Sequence, residues 1–113
     1  MGDCIFCKLA NGEIPTDMVY EDELIAVFRD AAPQAPVHML MVPKVHVASL
    51  DDLSADNAEL MGHMMLKIKE VTAKEGLSGG YRCVINTGED GGQTVGHLHI
   101  HILGGRFMQW PPG

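Results

Sequence analysis

The stretch His97-Leu98-His99-Ile100-His101-Ile102-Leu103 alternates imidazole and aliphatic side chains without a break. In an extended strand, alternate side chains share a face, so the three imidazoles form one row spaced at roughly 6.6–7 Å. Leu98, Ile100 and Ile102 then turn the other way, into a core. The chain must therefore build a sheet with one apolar face and one chemically equipped face. Residues 18–20 and 24–29 read as strands around the acidic turn Glu21-Asp22-Glu23. Residues 38–42 form a mostly buried strand stopped by Pro43, and residues 81–86 form another. One long helix is expected between these groups. Ser54 is its N-cap, and Asp56 places a negative charge in its first turn. Leu60, Met61, Met64, Met65, Ile68 and Val71 recur at spacings of three and four, and Gly76 marks the end. Glu59, His63, Lys67, Glu70 and Lys74 occupy the other side, with His63 expected in solvent. A short helix over residues 4–10 has apolar positions at 5, 6 and 9 and ends at Asn11-Gly12. The order is short helix, three strands, long helix, two strands. Its short links predict an α+β class, a five-stranded antiparallel sheet with one long and one short helix. At 113 residues this is one domain, 1–113, with residues 106–113 as a C-terminal tail.

Charge and cysteine content narrow the function. Fifteen acids against eight bases give a formal charge of −7, which speaks against a broad nucleic-acid surface. No stretch approaches the ~18 uninterrupted apolar residues of a membrane span, and the start lacks a secretory pattern. Three cysteines, an odd number, do not fit a secreted disulfide framework. The expectation is a cytoplasmic protein without nucleic-acid or membrane partners.

Two chemistries suit the histidine row. Imidazoles two apart can jointly bind a metal, or a central imidazole can act as nucleophile while its neighbours supply protons and charge. Just upstream, residues 88–96 are rich in glycine, able to aim N–H groups at an anion. No Gly-Lys-Ser/Thr follows, so this is not a nucleotide P-loop. Cys4 and Cys7 lie three positions apart near the chain start, outside any βαβ setting that a thioredoxin-like pair would need. Two cysteines alone do not complete a zinc site, which takes four ligands. Cys83, inside an expected strand, is read as a buried apolar residue.

The pattern of residues 97–103 resembles that of the histidine triad family. Gly91-Gly92-Gln93-Thr94, Gly104-Gly105-Arg106 and Trp110-Pro111-Pro112-Gly113 are similar to its Hint branch. Ile14-Pro15, Pro33-Gln34-Ala35-Pro36 and Val42-Pro43-Lys44 fit that branch too, so the resemblance runs along essentially the whole chain. It implies a HIT-like fold, a homodimer, and hydrolysis of purine nucleoside 5′-phosphoramidates with binding of purine nucleotides. Alternatives are dinucleoside-polyphosphate hydrolysis through the same triad, and a nucleotide-binding regulatory role with weak catalysis.

The resemblance also assigns residues. It implies His99 as nucleophile, forming a nucleotidyl-histidine intermediate, with His101 and His38 contacting phosphate and balancing charge. Thr94 stands where the family has a serine near the phosphate and leaving amine. Gln93, Gly92 and Asn86 match positions lining the phosphate site, and Asp30 matches the acid that holds both ribose hydroxyls. Ile5, Phe6, Leu9, Phe28 and Leu40 match the apolar walls of the purine pocket, with Ala31 where a larger aliphatic residue is common. Cys4, Cys7, His46 and His97 match the structural zinc ligands of many microbial relatives; no organic cofactor is implied. In resembling proteins, the tail around Trp110 lies near the partner subunit's active site.

Overall fold

The computed structural model describes residues 4–113. A short helix α1 (Ile5–Ala10) is followed by β1 (Met18–Glu21), β2 (Ile25–Arg29) and β3 (Val37–Pro43), then α2 (Ala58–Lys74), β4 (Tyr81–Val84) and β5 (Ile100–Gly104). The strands form one antiparallel sheet in the order β1-β2-β3-β5-β4. The hydrophobic strands β2 and β3 are, with β5, the inner strands of this order. Nearly every residue of β3 is buried, as expected for a strand covered on both faces.

Strand alternation sorts the side chains into two layers. Ile25, Val27, Met39, Met41, Ile100 and Ile102 meet Leu60, Met64, Ile68 and Val71 of α2 in the larger core. On the opposite face Ala26, Phe28, Leu40 and Val42 pack against Phe6 and Ala10 of α1. The helix stripe and the strand periods therefore agree on one core, which fixes the register of β5. Because Ile100 and Ile102 face α2, His101 must face away from it. Among the described residues no helix is long and apolar enough to cross a membrane.

Four expectations are corrected. The long helix does not begin at Ser54. Ser54 and Asn57 form a reciprocal cap around one 3₁₀ turn, Ala55–Asn57, and α-helical bonding starts at Ala58. The last strand starts at Ile100 instead of residue 97. Its partner β3 ends at Pro43, which has no N–H to donate, so the ladder stops and His97 and His99 lie on the approach to the strand. Cys83 is exposed, because it sits on β4 at the sheet edge beyond the cover of α2. His63 is half-buried and not free in solvent. Its Nε2 lies 2.7 Å from Asp22 Oδ2, which also accepts from Tyr20 Oη at 2.8 Å.

Candidate functional site

The sheet face away from α2 gathers the polar groups. His38 on β3 and His101 on β5 project there beside each other, with His38 Nε2 2.9 Å from His101 Nδ1. His99 lies just before β5, with its ring 5.1 Å from that of His101. Phe6 of α1 sets its edge against His99 at 4.9 Å and against Phe28 at 5.9 Å. Phe6, Phe28, His99 and His101 border a cavity of about 400 Å³.

The hydrogen bonds fix the proton positions. His99 Nδ1 lies 2.7 Å from the His97 carbonyl, which can only accept, so Nδ1 carries the proton and Nε2 keeps its lone pair. The Gln34 amide donates to His38 Nδ1 at 3.0 Å. Neutral His38 therefore holds its proton on Nε2 and donates it to His101 Nδ1, which leaves the proton of neutral His101 on its own Nε2. Burial, then the neighbouring His99 and His38, pushes the His101 pKa down from its ordinary value, and Asp30 opposes this only in part. His101 is thus held neutral near pH 7, with a donor on Nε2. The site combines an unprotonated nitrogen with a neighbouring proton source, which suits attack on an electrophile followed by proton transfer to a leaving group.

The cavity lining includes Phe6, Leu9, Phe28, Asp30, Leu40, Thr94, His99 and His101, all singled out from the sequence. Thr94 sits at its rim, and His38 stands behind His101. Asp30 Oδ1 accepts from the Ala32 amide at 2.8 Å, while Oδ2 lies 3.4 Å from His38 Nε2. Ile5 does not line the cavity and is 43% exposed. Phe6 and Leu9, three apart, take the inward side of α1, and Ile5 is rotated off it. Asn86, Gly92 and Gln93 also lie outside the lining. The polar atoms of Gln93 are occupied in shaping its own loop, donating to the Ala48 and Val95 carbonyls and accepting from the Gly88 amide. Gly91 is required there, because a Cβ would fall 2.4 Å from the Thr87 carbonyl oxygen.

Thr16, Arg29 and Val95 line the cavity without having been singled out, and Pro15 was quoted for the resemblance alone, with no role in a site. Arg29 pairs with Glu75 at 2.7 Å and Asp17 at 3.6 Å, so its charge is already matched. A basic residue at the end of a strand beside Asp30 was the one available signal. Thr16 offered none.

Behind this cavity lies a second cluster. Cys4, Cys7, His46 and His97 bring their ligand atoms within 4.8 Å of one another. Cys4 and Cys7 come from the start of α1, His46 from the segment after β3, and His97 from the approach to β5. His97 Nε2 donates to the Pro43 carbonyl at 2.8 Å, so its Nδ1 lone pair faces the sulfurs of Cys4 and Cys7 at 3.3 and 3.4 Å. His46 Nδ1 is 3.2 Å from Cys7 Sγ. Adjacent sulfur and nitrogen ligands of a tetrahedral metal lie about 3.5 Å apart, given bonds near 2.3 and 2.05 Å. The set therefore fits a metal ion, and a backbone carbonyl already orients one ligand ring. Burial, and then the adjacent Cys4, push the Cys7 thiol pKa up, which does not suit a reactive redox thiol.

Asp30, His38 and His101 also bring ligand atoms within 4.8 Å. A metal on His38 Nε2 would move that ring's proton to Nδ1, where it would face the Gln34 N–H. Within this trio the two histidines form a hydrogen-bonded pair, with the Asp30 carboxylate 3.4 Å from His38 Nε2, and the arrangement is not a ligand set.

A family model described as "Scavenger mRNA decapping enzyme C-term binding" matches residues 3–110. An uncharacterised HIT-like protein of Synechococcus elongatus is 58% identical over 111 residues, covering 98% of this chain and 97% of that protein. The chain belongs to the HIT family. A HIT family hydrolase from Legionella pneumophila has the same fold, with a TM-score of 0.96 and 49% identity over 98% of this chain and all of that one. A histidine triad protein from Clostridium difficile superposes with a TM-score of 0.94 at 44% identity, covering 96% of each chain. The five-stranded sheet with its long helix is thus the HIT-like fold, and the chain is similar to a HIT family hydrolase along its whole length.

Proposed function

We propose that this HIT protein hydrolyses purine nucleoside 5′-phosphoramidates through a nucleotidyl-His99 intermediate. The observation that carries the reading is the tautomer pair: His99 with an unprotonated Nε2, beside a neutral His101 with a proton on Nε2. His99 Nε2 bonds to the α-phosphorus as the phosphorus–nitrogen bond breaks, and His101 gives its Nε2 proton to the departing amine. Water then attacks phosphorus, His101 takes a proton from it, and the bond to His99 breaks. The net reaction adds one water, leaving a nucleoside monophosphate and an amine. His38 supports His101 from behind by filling the acceptor position at its Nδ1.

Asp30 is assigned to the ribose hydroxyls, since a carboxylate accepts from a vicinal diol. Phe6, Leu9, Phe28 and Leu40 are assigned to the base, and the Thr94 hydroxyl to the phosphate or amine side. Gln93 and Gly92 serve by shaping the loop that carries Thr94, and Asn86 by adjoining it.

The second cluster is assigned to a structural zinc ion. Bound there, zinc would cross-link three segments through four protein donors and leave no position open for substrate. A homodimer is also proposed. Met65 and Leu66 on α2 and Tyr81 on β4 are exposed, and β4 is an edge strand with an unpaired side. A second copy would cover both.

The test is a side-by-side assay of adenosine 5′-phosphoramidate and diadenosine triphosphate, with the wild type and His99→Ala. Phosphoramidate turnover is expected to vanish in the variant while adenosine monophosphate binding survives. Wild-type-like hydrolysis by His99→Ala refutes the nucleophile, and preference for the dinucleotide refutes the substrate class.

A further inference from the structure

His38 is buried, and the nitrogen it turns away from His101 is occupied by a loop residue. Gln34, between β2 and β3, donates its amide to His38 Nδ1 at 3.0 Å. The same residue's carbonyl accepts from Arg106 Nη2 at 3.0 Å, across 72 positions of sequence. Arg106 Nη1 also donates to the Phe107 carbonyl at 3.2 Å, which ties the start of the tail to the same guanidinium. Gln34 is therefore gripped from both sides, by a catalytic-face histidine and by the second residue beyond the end of β5.

The backbone around Arg106 is built to reach this loop. Gly105 has φ of +90°, and a Cβ on it would lie 2.9 Å from Pro36 Cβ. Only glycine makes both the turn and the close approach, and together they bring the chain leaving β5 against the 30–36 loop.

We propose that Arg106 is a positioning residue that sets the tautomers of His38 and His101 through the Gln34 backbone. A backbone N–H can face only a lone pair, so Gln34 held in place keeps the His38 proton on Nε2. That proton fills the acceptor position of His101 Nδ1 and keeps the His101 proton on Nε2, toward the cavity. Released from Arg106, the loop can withdraw and His38 can carry its proton on Nδ1. The bond between the two rings then reverses: His101 Nδ1–H donates to His38 Nε2, and His101 turns a lone pair toward the leaving group. A proton donor becomes an acceptor with no change in the histidines themselves. The groups facing this pair are Asp30, 3.4 Å from His38 Nε2, and His99, beside His101. Neither contacts His38 Nδ1, so among the described residues the Gln34 backbone amide alone holds that nitrogen.

The catalytic consequence rests on the phosphoramidase reading; the tautomers do not. Arg106 is exposed on the surface, so its removal leaves both cores intact. The experiment records ring ¹⁵N–¹H spectra of His38 and His101 in the wild type, Arg106→Ala and Arg106→Lys, with kcat and KM for adenosine 5′-phosphoramidate. The wild type should show Nε2–H tautomers for both rings. Arg106→Ala should mix the tautomers and lower kcat roughly tenfold, as expected for an impaired proton donor, with KM changed less than about twofold. Arg106→Lys, which can still donate to the Gln34 carbonyl, should recover most of both. Unchanged tautomers in Arg106→Ala overturn the proposal, whatever happens to turnover. Altered tautomers with unchanged kcat overturn the catalytic consequence. If His99→Ala proves active, the function reading fails while the spectra still decide this one.

Discussion

Phe6 joins the two clusters, which makes its truncation the sharpest probe of how they depend on each other. Its ring is 8% exposed and packs edge-on against His99, against His97 at 6.2 Å and against Phe28. Replacing buried phenylalanine by alanine costs about 3–5 kcal/mol, part of it for the void left behind. Here the void would open into the cavity of about 400 Å³ and fill with water, so the low end applies, about 3 kcal/mol. A chain of 113 residues has an unfolding entropy of about 0.24 kcal/mol/K, so Phe6→Ala should lower Tm by about 12 °C. Phe6→Leu keeps most of the volume and should cost about 1 kcal/mol, or about 4 °C. Thermal denaturation at fixed protein and zinc concentration measures both. Turnover should fall in the same order, because the His99 ring loses its edge-to-face neighbour and gains freedom to leave the His97 carbonyl. A Tm change below about 4 °C in Phe6→Ala, or full activity in it, would falsify this account of how α1 supports the nucleophile.

The Asp22 carboxylate offers a pH-dependent test. Burial raises its pKa, but hydrogen bonds from Tyr20, His63 and the amides of Leu24 and Ile25 outweigh that and hold it well below the usual carboxylate range. A depressed folded-state pKa gives stability that is present above the unfolded value near 3.9 and is lost as pH falls below it. Asp22→Asn should therefore cost about 1–2 kcal/mol at pH 7, the charge-assisted part of these bonds. The difference from wild type should shrink below about pH 4; urea titrations at pH 7 and pH 3 that give equal differences would contradict it. Chelation tests the sulfur–imidazole cluster. Removing metal from protein made without a histidine tag should lower Tm sharply, and Cys7→Ser should lower Tm and abolish the response to added zinc. A chelator-insensitive Tm in protein shown to contain one zinc per chain would remove the structural role.

The sheet's active face was legible because β5 alternates strictly and because the stripe of α2 matches the α2-facing residues of β2, β3 and β5. Spacing puts six residues of α2 in one stripe; Leu60, Met64, Ile68 and Val71 reach the core, Met61 packs at its margin, and Met65 is exposed. Where β5 begins was not legible, since it depends on a missing N–H in its neighbour at Pro43. Cys83 was misjudged for a related reason: strand membership predicts a direction but not whether a helix reaches far enough to cover it. Ile5 was misplaced by one helical step. His63 carries no local sign of Asp22, 41 positions away. Gln34 and Arg106 stand in motifs quoted from the sequence, but their link to His38 was not legible, because it ends on the Gln34 carbonyl and amide and no side-chain pattern encodes either.

His97 does two jobs with different parts of itself. Its imidazole belongs to the four-donor cluster, and its carbonyl sets the proton of His99. Every amino acid brings a carbonyl, but few bring an imidazole. Substitution at this one position can thus remove a donor from the cluster while His99 keeps its tautomer, so the two layers can be lost or gained separately in descent. The donor cluster can be altered at α1 or at the His97 ring without disturbing the hydrogen bond that orients His99.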